Sequence, residues 1–174
     1  MKMSILGIEY KNIRKISELK LSFVDANGKS IKNNFVMMAN GTGKTTTMEL
    51  IKGLMDGSAA DWSAKKIKTF APTTSHSDVG VFSIAVKFDE RQYKYFLYMN
   101  YKTGTANIKT TTTTLGGMED GRHLPEALKG IFTPEFVRRF VFDGEQAEKT
   151  MDSSSNEAEE TIRYLYRLDE LDEI

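Results

Sequence analysis

The sequence predicts an α/β domain in which a strand hands the chain to a phosphate-binding loop and then to a helix. Three observations predict it. The apolar run Phe35-Val36-Met37-Met38 leads into Asn40-Gly41-Thr42-Gly43-Lys44-Thr45, and helical spacing begins at once. Phe82, Ile84, Val86 and Phe88 alternate with other residues at the period of a strand, and an aromatic strand pattern follows over residues 93–101. Asn27-Gly28 supplies a tight turn before the apolar run returns.

The loop carries the chemistry. Glycines let backbone N–H groups turn inward toward phosphate oxygens with no Cβ in the way. A lysine reaches the outer phosphates, a hydroxyl holds Mg²⁺, and the positive end of the following helix adds to the anion site. Gly43-Lys44-Thr45-Thr46 fits this, and the chain is expected to bind a nucleoside triphosphate. One position departs from the pattern G-x-x-x-x-G-K-[ST]: Met38 stands where its first glycine would fall.

The elements follow in order. Residues 4–8 read as a first strand, ending in Glu9-Tyr10-Lys11-Asn12-Ile13-Arg14. Leu19, Leu21 and Phe23 alternate with Lys20 and Ser22, the mark of a half-buried strand. After the Asn27-Gly28 turn, residues 34–38 form the returning strand that feeds the loop. A helix over about 44–55 presents Met48, Ile51, Leu54 and Met55, and Gly57 ends it. Residues 58–78 are polar, lack a clear period and contain the single tryptophan, Trp62. The strands at 82–88 and 93–101 are joined by Asp89-Glu90-Arg91, and the Thr-rich run at 110–114 completes a meander. Pro125 opens a short helix through Leu128, and Pro134 opens another with Phe136, Val137 and Phe140 on its apolar side. Phe140-Val141-Phe142 reads as a strand ending in Asp143-Gly144-Glu145. A Ser-rich patch then gives way at Asn156, an N-cap residue, to a charged helix whose Ile162, Leu165, Leu168 and Leu171 form a drifting stripe. That helix is either a packing element or the first turns of a longer coiled coil.

Composition bounds the rest. A chain of 174 residues is about one domain. Its 24 basic and 24 acidic residues create no global field toward nucleic acid or a membrane, so any such contact has to come from a local patch. With no cysteine, disulfides and Cys-based metal or nucleophile sites are excluded. No apolar run approaches the ~18 residues of a membrane span, and the start leads directly into a strand pattern. The expected location is the cytoplasm, away from membranes.

These motifs, in this order, resemble the N-terminal half of an SMC/SbcC/RecF-type ATP-binding cassette head, most of all DndD-like and antiphage SMC-like ATPases. The residues that carry the resemblance are Tyr10-Lys11-Asn12-Ile13-Arg14, the loop at 40–45, Phe142-Asp143-Gly144-Glu145 and Leu165-Tyr166-Arg167-Leu168-Asp169-Glu170-Leu171. It implies a P-loop NTPase lobe of an ABC-type head over residues 1–155, with a mixed sheet and a β-meander, and the start of a coiled-coil helix over 156–174. It implies ATP and Mg²⁺ as cofactors. Lys44 would bind the β- and γ-phosphates; Asn40, Gly41, Thr42 and Gly43 would cradle them. Thr45 would ligate Mg²⁺, Thr46 would touch the α-phosphate, and Arg14 would approach the phosphates. Asp143, Glu145 and Gln146 fall where the family senses Mg²⁺ and the attacking water. Asp143 or Gln146 is the expected metal contact, and which of the three reaches it stays open.

The resemblance also implies an ATPase acting in DNA repair, DNA modification or antiphage defence. Its partners would be a C-terminal head lobe on the same or a separate chain, a second head closing an ATP sandwich, DNA, and a nuclease or other effector subunit. No apolar strand ending in Asp-Glu follows the loop, and no Ser-Gly-Gly signature occurs. The chain therefore reads as half a head, with little hydrolysis by itself. Two alternatives are a stand-alone P-loop kinase or GTPase-like enzyme, and an ATP-gated interaction module that never hydrolyses.

Overall fold

The computed structural model describes residues 3–39, 41–73, 77–112, 117–130 and 132–141. Six strands form one sheet: β1 (Met3–Ile13), β2 (Ile16–Ser22), β3 (Val79–Phe88), β4 (Arg91–Asn100), β5 (Thr105–Thr112) and β6 (Met118–Asp120). Their order is β2-β1-β3-β4-β5-β6, and every neighbouring pair is antiparallel. The helices are α1 (Lys44–Asp56), α2 (Ala64–Lys68), α3 (Glu126–Lys129) and α4 (Pro134–Phe140), with a short 3-10 turn at Ser58–Asp61.

The sheet is apolar on one face, and α1 lies in that core. Ile8, Phe82, Ile84, Leu97 and Met99 alternate with outward residues and are buried with Leu50 and Leu54 of α1. Glycines in left-handed conformation bracket α1: Gly43 at its start has φ 116° and Gly57 at its end has φ 85°.

Two aromatic residues extend the same core along the helix. Trp62 stacks on Phe70 with ring centroids 5.2 Å apart. Its indole lies so close to Gly53 in mid-helix that a Cβ there would sit 2.2 Å from the ring. Ser63 caps α2 by accepting from the Lys66 N–H, which turns a stretch without visible period into a helix.

At the far end of α1, Arg122 is half-buried. Its guanidinium donates to the Met55 carbonyl and, at 3.3 Å, to that of Phe132. A cation at a helix C-terminus is favourably placed. Burial lowers its pKa below the ordinary arginine value, with Asp56 opposing the shift. This contact ties α1 to the small cluster of Leu128, Phe132 and Val137 around α3 and α4.

Several expectations change. Among the described residues the sheet is antiparallel throughout, not mixed. Residues 34–38 are not a strand: they form no ladder, and Phe35 and Met37 are 95% and 96% exposed. Apolar character made this segment look like a buried strand, but pairing requires a neighbour and the described chain supplies none. β1 continues to Ile13, well past residue 8. Phe140 belongs to α4 and Val141 caps it, so these two are not strand residues, and Phe142 lies outside the described residues. Strand β5 starts earlier than expected, at Thr105, and takes in the Thr-rich run as far as Thr112, the last described residue of that run, and β6 was not anticipated. The turn at 143–145, the Ser-rich patch and the charged helix lie outside the described residues.

The Gly53 contact makes a test of α1 packing. Ala is the better helix former by ~1 kcal/mol, yet Gly53→Ala should destabilise the fold by roughly 1–3 kcal/mol because its methyl meets the indole. Urea unfolding followed by Trp62 fluorescence measures this. A gain in stability would show that the indole yields freely.

Candidate phosphate-binding site

Strand β1, helix α1 and the end of α2 converge at the loop. Gly41 has φ 75° and Gly43 φ 116°, conformations that a side chain resists, and nothing lies within 4 Å of a Cβ built on Gly41. Glycines in such conformations occur in anion-binding backbone loops. The Thr42 N–H and hydroxyl both donate to the Ala39 carbonyl, at 3.3 and 2.6 Å, and tighten the turn. Lys44 and Thr45 open α1 and are exposed to solvent.

A hydroxyl relay holds the first turn. Tyr10 donates its phenol proton to Thr47 Oγ1 (3.0 Å), and Thr47 donates to the Gly43 carbonyl (2.8 Å). The main-chain N–H of Thr47 reaches the same carbonyl at 2.8 Å. Burial raises the Tyr10 pKa above its usual range, so this phenol stays a donor at physiological pH.

Arg14 sits in the turn between β1 and β2 with φ 49°. Its Nε donates to the Thr69 carbonyl at 3.0 Å and its N–H to the Phe70 carbonyl at 2.9 Å. The guanidinium lies 5.2 Å from the Phe70 ring centroid and bonds the Thr46 hydroxyl at 2.5 Å. Thr46 is only 2% exposed. The structure thus joins Arg14 and Thr46 to each other at the edge of the loop, beside exposed Gly41, Thr42, Lys44 and Thr45.

Asn40, Asp143, Glu145 and Gln146 lie outside the described residues. Among the described residues no group of three or more His, Asp or Glu side chains could hold a metal.

Sequence reasoning did not single out Tyr10, Thr47, Thr69 or Phe70. Two signals pointed their way. A glycine inside a helix, Gly53, is costly unless something packs against it, and a lone tryptophan in a polar stretch needs an apolar partner. Neither names the partner.

No family model matches the chain, and no curated protein matches it. None of the helices in the described residues is long and apolar enough to cross a membrane.

Arg14→Lys tests the clamp without changing backbone cost, since either residue bears the same left-handed strain. A lysine cannot make the forked contacts, which leaves the buried Thr46 hydroxyl poorly paired. The expected loss is ~1–3 kcal/mol of stability in urea unfolding. An unchanged midpoint would remove Arg14 from the framework of the loop.

Proposed function

We propose that this chain binds ATP·Mg²⁺ as the N-terminal lobe of an SMC-like, ABC-type ATPase head that acts on DNA, with hydrolysis requiring a C-terminal lobe. The observation that carries the reading is the backbone at Gly41 and Gly43, left-handed at both positions directly before exposed Lys44 and Thr45 at the start of α1. The cradle, the lysine and the hydroxyl have the donor chemistry that a triphosphate and its metal need. Bound there, ATP·Mg²⁺ supplies the reactive phosphoryl group and the metal's charge. Lys44 holds the outer phosphates, Thr45 offers its hydroxyl to the metal, and Arg14 fixes Thr46 and the floor of the site.

A second observation favours the lobe reading over a self-contained enzyme. Among the described residues, no backbone hydrogen bond involves residues 32–38, although Phe35, Val36, Met37 and Met38 present apolar side chains on both faces. Such a segment has the composition of a strand covered on both sides. A C-terminal lobe would pair with it and place strands beside the loop. A kinase or GTPase-like domain would bring a parallel sheet of its own, and the described sheet is antiparallel throughout. The DNA role and the effector partners rest on the resemblance alone. The non-hydrolysing module remains the outcome if no lobe restores turnover.

Calorimetry with Lys44→Ala should show ATP affinity falling roughly tenfold to a hundredfold, since charged hydrogen bonds contribute about 1.5–3 kcal/mol. Wild-type affinity would reject the loop assignment. For the acidic turn, Asp143→Ala and Gln146→Ala should weaken Mg²⁺-dependent ATP binding more than binding in EDTA. Equal losses, or none, would leave that turn structural. The isolated chain should turn ATP over negligibly and gain activity with a C-terminal lobe, because losing even one preorganised group costs on the order of 10²–10³-fold. Robust hydrolysis that disappears in the Lys44→Ala chain would point to a compact P-loop enzyme.

A further inference from the structure

The sheet face turned away from α1 carries an arrangement the nucleotide site does not use. Strand registers place one residue from each strand in a row: Lys20, Glu9, Ser83, Phe96, Lys109 and Asp120. The next row holds Lys11, Val81, Tyr98 and Asn107. Phe96 and Tyr98, two residues apart on β4, therefore share this face. Their rings stack with centroids 6.0 Å apart and an interplanar angle of 24°. The solvent side of an antiparallel sheet ordinarily carries polar side chains. Here two half-exposed rings stand on a central strand.

The sheet is hollow on both sides of the rings. A cleft of ≈ 430 Å³ lies beside Tyr98, lined by Asn100, Asn107, Lys109 and Met118. Another, of ≈ 390 Å³, lies over Gly7, Ser83 and Ala85, whose small side chains leave the space, and is bordered by Gln92 and Lys94. Lys94 leans across β3 to bond Glu9, its Nζ 5.1 Å from the Phe96 centroid. Ser83 is 2% exposed, and among the described residues its hydroxyl makes no hydrogen bond. Ser83 lines the second cleft, so its hydroxyl is available to an acceptor that enters there. Lys11, Lys20, Lys94 and Lys109 stand on this face against Glu9, Glu18 and Asp120.

We propose that this face binds single-stranded nucleic acid, with bases stacked on Phe96 and Tyr98 and phosphates bonded by Lys94, Lys109 and the Ser83 hydroxyl. Aromatic rings accept any base, because every base has a π-face, and the lysines follow the backbone. A duplex keeps its base faces inside the stack and cannot reach the rings. Glu9 is the internal counter-ion that a phosphate replaces. An apolar protein partner would leave the Ser83 hydroxyl unsatisfied and would bury the Lys94–Glu9 pair without compensation. The inference deepens the nucleic-acid side of the proposed function, yet uses no residue of the loop.

The test uses the full chain in EDTA without nucleotide, so its failure leaves the ATP assignment standing. Fluorescence anisotropy is read with labelled oligo-dT of roughly 15 nucleotides, within the range of known single-strand sites, and with a duplex of equal length. The single strand should bind more tightly. A chain carrying Phe96→Leu and Tyr98→Leu keeps apolar bulk but loses the rings, and should bind about tenfold or more weakly with unchanged ATP affinity. Lys94→Gln should flatten the salt dependence of binding. Should the double variant fail to show a native melting curve, Phe96→Leu alone carries the same expectation. Absent oligo-dT binding, equal binding of duplex, or binding indifferent to loss of the rings would each overturn the proposal.

Discussion

The guanidinium of Arg14 joins three parts of the chain that are far apart in sequence. It belongs to the turn after β1, it donates to the Thr69 carbonyl beside the main-chain N–H that takes the Phe70 carbonyl, and it holds the hydroxyl of Thr46 in the first turns of α1. Without it the loop would be anchored to the sheet mainly through the Tyr10–Thr47–Gly43 relay. The two devices act on consecutive residues, Thr46 and Thr47, and approach them from the same strand. The position of the loop is thus set by β1 as much as by the glycines within it. Arginine suits the task because its planar fork can serve several acceptors at once while remaining charged.

The opposite end of α1 is held by the same kind of group. Arg122 reaches the Met55 carbonyl and the Phe132 carbonyl, and Gly57 leaves room for it where a Cβ would lie 3.0 Å from Nε. Between the two arginines, Leu50 and Leu54 bury the helix against the sheet, and Trp62 packs on the same buried face at Gly53. Helix α1 is therefore held along its buried face and at both ends. Support of this sort holds the start of the helix, and with it the end of the loop, in place.

What was legible in the sequence was local. Gly43, Lys44 and Gly57 announced both ends of α1, and the alternation of Phe82, Ile84, Val86 and Phe88 gave β3 with its buried face. Pro125 and Pro134 marked α3 and α4. What was not legible depended on partners. Phe35 to Met38 reads as a buried strand by composition, and whether it becomes one rests on hydrogen-bonding neighbours that no local pattern encodes. The sheet's antiparallel order hangs on which distant strands meet, as does the union of Arg14 with Thr46. Helix α2 escaped notice because five residues are too few for a period, and its signal was the Ser63 cap. Within the candidate site, the glycines marked the loop, while the residues that brace it came from a strand, a turn and a helix end with no shared motif.

Strand β1 has one more consequence, which concerns how the molecule comes to exist. It pairs with β2 through a short turn, but its other edge pairs with β3, and the whole loop, α1 and α2 lie between them in the chain. The meander β3-β4-β5 closes through brief turns and pays little loop entropy to form. The β1–β3 seam must wait until the intervening segment is gathered in, and long-range pairings of this type are the slow ones. The Arg14 contacts close the same gap, since they span β1 to α1 and α2. The β1–β3 seam and the bracing of the loop therefore depend on the same long-range closure.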